Sequence, residues 1–156
     1  MSQPDATRGI DPRSPRFGAG ITAVLLLVTI FLGLTGASVA ALVILGVIAI
    51  LFAWGAFAGI RKHPYGALFR RVVRPRLAPP GELEDPTPPT FAQGVGLVIT
   101  GVGVLLGVVG LAWAVPLFAA LAFVAAFLNS VFGYCLGCQM YLLGTRAGLL
   151  GRTRAS

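Results

Sequence analysis

Residues 17–34 have the sequence FGAGITAVLLLVTIFLGL, which contains no charged residue. An α-helix rises about 1.5 Å per residue, so a run of this length crosses most of a hydrocarbon core that is about 30 Å thick. The run therefore predicts a membrane-spanning helix. It decides the fold class because the rest of the chain repeats the same kind of segment.

Three further uncharged apolar runs cover about residues 39–60, 91–109 and 115–132. With 56% hydrophobic and only 11% charged residues, the 156-residue chain has too little polar surface for a soluble domain. Short uncharged turns separate the first run from the second and the third from the fourth. The chain is therefore expected to be an all-α membrane protein whose four transmembrane helices form two hairpins, within a membrane domain over residues 17–143.

The long connection between the hairpins begins with a helical pattern of apolar and basic residues. Its apolar positions share one face, and they are Tyr65, Leu68, Phe69, Val72 and Val73. The opposite face carries a basic patch, which consists of Arg70, Arg71 and Arg74. The pattern predicts an amphipathic helix that lies among anionic lipid headgroups and ends at Pro75. A solvated extension of the second span remains an alternative.

The 12 basic residues lie before the first span, in the central connection and after the last span, and the short turns have none. By the positive-inside rule, both termini and the central connection are cytoplasmic in a bacterial plasma membrane. Residues 1–16 are expected to form a disordered cytoplasmic tail and residues 144–156 a basic one. Outside the central connection the basic residues are Arg8, Arg13, Arg16, Arg146, Arg152 and Arg154.

A net charge of +7 raises the question of the partner that neutralises it. The chain leaves no basic and aromatic surface to bind bases, so nucleic acid is not expected. Anionic lipid headgroups are the expected partner.

Residues 133–141, GYCLGCQMY, hold both cysteines of the chain. Two thiols at this spacing can close a disulfide, exchange it with a partner, carry sulfur or supply half of a metal site. A helix that begins at or just after Cys135 would lower the pKa of its thiol, and cations at Arg61, Lys62 and Arg146 would add to this effect. We therefore assign Cys135 and Cys138 as the candidate catalytic residues.

Metal binding is a weaker explanation of the same motif. A tetrahedral thiolate site needs four ligands, and the chain offers two cysteines and one histidine, His63. No cofactor or metal is therefore expected, and a packing role for both cysteines at a helix end stays open.

Small and polar residues within the spans predict close contacts between helices. The GxxxG pairs are Gly55 with Gly59 and Gly103 with Gly107. Asn129 and Ser130, near the end of the fourth run, are expected to hydrogen-bond to a neighbouring helix.

The two halves of the chain also share a pattern. Residues 15–21 (PRFGAGI) align with residues 89–95 (PTFAQGV), and the same offset places Gly59 over Gly133. This pattern predicts a parallel internal repeat, in which His63 would lie close to the two thiols.

Three elements carry a family resemblance: IDPR at residues 10–13, PTFAQG at residues 89–94, and GYCLGC at residues 133–138. Together they resemble a bacterial, mostly actinobacterial, integral membrane family, domain of unknown function 4395. The resemblance implies four membrane helices and supplies no activity. It also implies a thioredoxin-like or rhodanese-like cytosolic partner, because such proteins are encoded near family members. Thr90 stands where relatives often have Arg.

Three functional hypotheses follow. The first is a membrane-associated thiol-disulfide or sulfur-relay protein in which Cys135 attacks and Cys138 resolves. The second is a non-catalytic membrane anchor or assembly subunit that recruits a cytosolic partner through the basic patch. The third is a small-solute transporter, which is weaker because no span contains an ionisable residue away from its ends. Enzymatic activity and homo-oligomerisation stay open.

Overall fold

A computed structural model describes residues 9–148 of the chain, and these residues contain six α-helices. The remaining parts of both predicted tails, including Arg8, Arg152 and Arg154, lie outside the described residues. The helices are α1 (Arg13–Leu34), α2 (Ser38–Ala58), α3 (Pro64–Leu68), α4 (Thr87–Val108), α5 (Ala114–Phe132) and α6 (Leu136–Arg146).

Four of these helices, α1, α2, α4 and α5, are long and apolar enough to cross a membrane. The prediction of an all-α protein is thus confirmed for the described residues, and so is the number of helices that are able to span a membrane. Both α1 and α4 begin four residues before the predicted spans, directly after Pro12 and Pro86. Hydropathy locates only the apolar part of a helix, whereas the helix itself begins where proline fits, because the first backbone N–H groups need no partner within the helix.

The four long helices form a closed ring of contacts. Helix α1 packs against α2 and α5, and α4 packs against the same two helices from the opposite corner. The short helix α6 lies against α4. Glycines with positive φ make the tight reversals, with Gly36 at 89° between α1 and α2 and Gly110 at 103° between α4 and α5.

The closely packed core occupies the half of the bundle nearest these two reversals. Its buried members come from α1, α2 and α5, and they are Leu26, Ala41, Leu45, Ile48, Val115, Ala119 and Ala122. On the outer surfaces large apolar side chains stay exposed, for example Phe31 at 65% and Ile50 at 66%. Such surfaces suit a lipid solvent rather than water.

The predicted glycine contacts are partly confirmed. A Cβ atom on Gly103 would lie 2.7 Å from Cβ of Phe118, and one on Gly107 would lie 2.6 Å from a methyl group of Val115. Gly59 makes no such contact, since it has φ of 90° and ends α2. The GxxxG pattern was therefore wrong for Gly59, because spacing alone does not separate a packing glycine from a helix-ending one.

Residues 9–16 differ from the predicted disordered tail. Ile10 and Glu84 exchange both backbone hydrogen bonds, each 2.9 Å long. Asp11 is only 6% exposed and accepts hydrogen bonds from the Arg13 side chain, which lower the pKa of its carboxyl group. The Arg74 guanidinium lies 3.8 Å from the same carboxylate. The start of the chain is thus ordered because it pairs with the central connection.

The predicted amphipathic helix is a series of short helical turns. After α3 the chain forms a π-helical turn, Phe69–Val73, and a 3-10 turn, Arg74–Arg76. Pro75 lies inside this last turn instead of ending the helix. Phe69 is buried against the Phe17 ring at 5.8 Å, whereas Leu68 and Val72 are 44% and 46% exposed.

Replacing Gly103 by alanine should destabilise the bundle, because the new methyl group would overlap Phe118. Overpacking of this kind costs about 1–3 kcal/mol. We expect a lower midpoint of thermal unfolding for the detergent-solubilised protein. Gly101→Ala is the matched control, since nothing lies within 4 Å of that position on the same helix. An equal effect of both changes would contradict the packing account.

Candidate functional site

The CxxC motif follows directly from the end of α5. Gly133 adopts a left-handed conformation with φ of 68°, and its N–H donates to the Asn129 carbonyl at 3.1 Å. The N–H of Tyr134 donates to the Leu128 carbonyl at 3.1 Å. The bond from Gly133 to Asn129 is that of an αL motif, which ends a helix and turns the chain sharply. The turn leaves Cys135 at the mouth of the bundle.

Cys135 is the N-cap residue of α6. Its backbone is extended, and its Sγ atom accepts a hydrogen bond from the N–H of Cys138 at 3.1 Å. The two sulfur atoms are joined in a disulfide, and both residues are half-buried. The expectation that a helix begins just after Cys135 is therefore correct. A thiolate at this atom would be stabilised by the same N–H group and by the positive end of the helix dipole.

A contact between small residues fixes the position of α6. A Cβ atom on Gly137 would lie 2.5 Å from the Cβ atom and 2.6 Å from the Cα atom of Ala92 in α4, so only the alanine methyl group separates the two backbones. The rings of Phe91 and Tyr141 pack beside this contact with centroids 5.5 Å apart. The FAQ element at residues 91–93 and the CxxC element, both part of the family resemblance, thus meet in the structure.

The cation that the structure brings to this turn is Arg16. Its guanidinium lies 3.4 Å from the carbonyl oxygens of Ser130 and Val131, at the negative end of the α5 dipole. The cations proposed from the sequence lie elsewhere: Arg61 and Lys62 are exposed in the turn before α3, and Arg146 is the last residue of α6.

His63 folds back from the central connection onto the bundle. It is 3% exposed, and its Nε2 atom lies 2.9 Å from the Leu51 carbonyl oxygen. Its Nδ1 atom accepts a hydrogen bond from the Tyr65 N–H at 3.1 Å, so Nε2 carries the proton in the neutral ring. Burial lowers the pKa of His63 below its ordinary value.

A cavity of about 450 Å³ lies behind the CxxC motif, between the four long helices. Cys135 and His63 both contribute to its wall. The lining is mostly apolar, with side chains such as Ile99, Leu121 and Ala125. The cavity occupies the half of the bundle opposite the packed core, at the end where α3 and α6 lie.

Two amide side chains, those of Gln93 and Asn129, also line this cavity. Among the described residues no hydrogen bond engages either amide, and neither leaves a fully buried polar atom unpaired. Both amides therefore present polar atoms to the cavity. A Cβ atom on Gly55 would overlap the Gln93 side chain, so this glycine makes room for the amide on the neighbouring helix.

Sequence reasoning identified the cysteines but missed most of the cavity. The sequence pattern assigns no role to Gln93, and it predicts for Asn129 a hydrogen bond to another helix. Polar residues near the ends of apolar runs were the available signal, although spacing alone does not tell which of them face one another. Within the described residues, no three His, Cys, Asp or Glu side chains lie close enough together to hold a metal ion.

The residues of the predicted basic patch separate in the structure. Arg70 and Arg71 are exposed, and Arg70 lies 3.5 Å from the Arg61 carbonyl oxygen. Arg74 lies against Asp11 instead.

Comparison with known proteins identifies a family and no closer relative. The family model described as "Domain of unknown function (DUF4395)" matches residues 10–146. No curated protein and no solved structure matches the chain.

The buried His63 predicts a pH-dependent stability. Its pKa is lowered in the folded state, so the unfolded chain binds more protons below the ordinary value of about 6.5. Stability should be at its plateau above that pH and should fall as the pH drops below it. Thermal unfolding of the solubilised protein measures this change. His63→Gln should flatten the profile, and an unchanged profile in the variant would assign the effect to other groups.

Proposed function

We propose a thiol-disulfide function for this chain, which belongs to the DUF4395 family of domains of unknown function and has four helices able to cross a membrane. The observation that carries the proposal is the position of Cys135 at the N-cap of α6, with its sulfur on the N–H of Cys138. Such a site favours the thiolate, which is the form that exchanges disulfides.

The exchange balances without a cofactor. A partner thiolate attacks the Cys135 sulfur, the bond to Cys138 breaks, and Cys138 leaves as a thiolate. A second thiol of the partner then breaks the mixed disulfide, so that the partner is oxidised and both cysteines are reduced. The reverse sequence reduces a partner. In both directions Cys135 forms the intermolecular bond. Cys138 is the leaving thiolate when the partner is oxidised, and it resolves the mixed disulfide when the partner is reduced.

The same pair also suits a sulfur relay. Cys135 would carry a persulfide received from a rhodanese-like donor. Attack by the Cys138 thiolate on the Cys135 sulfur would release hydrosulfide and restore the disulfide. The exposed Gly133 keeps a side chain away from the motif, which supports the approach of a partner's active site.

We place the motif on the cytoplasmic face of a bacterial plasma membrane, by the positive-inside rule. The exposed Arg70 and Arg71 stand beside the exposed apolar side chains of Leu68 and Val72, an arrangement that suits anionic headgroups. The same surface supports the second candidate function, a membrane anchor that recruits a partner through these arginines. A thioredoxin-like or rhodanese-like protein is the partner proposed for the first function.

We further propose that two hairpins form a parallel repeat. The contact of α1 with α5 corresponds to that of α4 with α2. The Phe17 and Phe69 rings pair at 5.8 Å, as Phe91 and Tyr141 do at 5.5 Å. In this arrangement His63 and the CxxC motif would occupy related positions, which agrees with their presence in one cavity wall.

Removing Cys138 should trap the exchange intermediate. In the Cys138→Ala variant the Cys135 thiolate can displace thionitrobenzoate from a thioredoxin whose one remaining active-site cysteine carries it as a mixed disulfide. Neither protein then has a thiol that resolves the new bond, so the covalent complex should accumulate. Non-reducing electrophoresis and mass spectrometry of the complex measure this. The matched Cys135→Ala variant should trap several-fold less. Equal trapping by both variants would contradict the assigned roles.

Labelling of introduced cysteines should define the orientation in the membrane. In a Cys135→Ser/Cys138→Ser background, Glu82→Cys places a thiol in the exposed central connection and Thr35→Cys places one in the exposed first reversal. A membrane-impermeant maleimide should label the first only from the cytoplasmic side and the second only from the opposite side. The inverse pattern would overturn the orientation.

A further inference from the structure

We infer that the cavity behind Cys135 binds a lipid-soluble quinone and that this quinone is the electron acceptor of the CxxC pair. The inference rests on the proposed thiol-disulfide function and names the oxidant that restores the disulfide. It is carried by the shape of the cavity, by its two unengaged amides and by Cys135, one half of the disulfide, in its wall.

The cavity has a polar end and an apolar end. On α4 its lining extends from Pro89 to Ile99, and on α5 from Leu121 to Asn129. At the helical rise of about 1.5 Å per residue these stretches are roughly 12–15 Å long. Cys135 lies at one end of them, whereas Ile99 and Leu121 lie at the other. A ligand that fits has a polar head at the motif and an apolar remainder inside the bundle.

An uncharged head that accepts hydrogen bonds fits this lining. Gln93 and Asn129 each have amide N–H groups that can donate to a carbonyl oxygen. None of the residues that line the cavity, all of them in the described part of the chain, is Asp, Glu, Lys or Arg. The His63 ring is already held in its neutral form by two hydrogen bonds. A flavin phosphate or a carboxylate would therefore find no cation here, whereas the two carbonyl groups of a quinone fit.

The volume of the cavity also limits which oxidants fit it well. About 450 Å³ is far larger than dioxygen needs and falls in the range of about 300–1,000 Å³ of ordinary small-molecule sites. A substituted quinone ring with the first part of an isoprenoid chain is of suitable size. The rest of the chain would stay in the lipid.

The redox step balances with the quinone as sole co-reactant. The thiols of Cys135 and Cys138 lose two protons and two electrons, and one S–S bond forms between them. The quinone gains both electrons and both protons, so its two carbonyl oxygens become hydroxyl groups. The quinol then exchanges with quinone in the bilayer. A partner dithiol then reduces the disulfide again by the thiol-disulfide exchange described above.

The test uses the full-length protein in lipid nanodiscs and decylubiquinone as the probe. Binding is measured by equilibrium dialysis with the oxidised protein. Electron transfer is measured with the reduced protein, by the loss of quinone absorbance and of free thiols. We expect one quinone reduced for each pair of thiols lost.

The variant Gln93→Met/Asn129→Leu removes both amides and keeps side-chain size. Loss of two hydrogen bonds should weaken decylubiquinone binding about tenfold or more. Thiol exchange with glutathione disulfide is measured in parallel, as a readout of the cysteine pair that does not involve the quinone. Val98→Met/Phe127→Leu is the matched control, since both positions are exposed on the outer faces of the same helices.

The outcomes separate this inference from the proposed function. If glutathione exchange proceeds but decylubiquinone does not bind, or binds the amide variant as well as the wild type, the quinone site is overturned and the thiol function stands. Occupation of the cavity by a phospholipid chain that the quinone cannot displace would give this result. If decylubiquinone binds but oxidises no thiols, the acceptor role is overturned. If the wild type exchanges with neither reagent, the proposed function itself fails.

Discussion

Helices in a lipid solvent gain little by moving apolar side chains from lipid onto one another, so close packing has to hold them together. In this bundle the closest approaches occur at glycines, and most of them involve α4. This helix places Gly103 against Phe118, Gly107 against Val115 and Ala92 against Gly137. Because α4 touches α2, α5 and α6, the position of the CxxC motif depends on the same contacts that hold the bundle.

The two ends of the bundle differ in how closely their side chains are packed. Near the short reversals, residues such as Leu26, Leu45 and Ala119 fill the space between the helices. Near the central connection, small lining residues such as Ala19 and Ala125 leave the space open, and Gln93 and Asn129 line it as well. Filling this space with larger apolar residues would be the simpler route to stability, so the open, half-polar end indicates a binding role.

The spans and the helix after Cys135 could be predicted because they depend on local properties, namely apolar length and the preference for a helix start. The pairing of Ile10 with Glu84 and the place of Asp11 between two arginines depend on distant residues, and no period in the sequence encodes them. The same holds for the cavity, since Gln93 and His63 are thirty residues apart and meet only after folding. Gly59 illustrates the converse case, in which a local pattern has two structural explanations.

The hydrogen bonds of the threonine hydroxyl groups affect how the spans can be inserted into the membrane one after another. Thr29 donates to the Leu25 carbonyl at 2.8 Å and Thr100 to the Gly96 carbonyl at 2.7 Å, so each hydroxyl is satisfied within its own helix. Helix α1 can therefore enter the lipid from the translocon before α5, its main neighbour, has been synthesised. Among the described residues no hydrogen bond engages the side chains of Gln93 and Asn129, which belong to the last two spans of the chain. The nascent chain thus exposes its costliest polar groups to lipid for the shortest time.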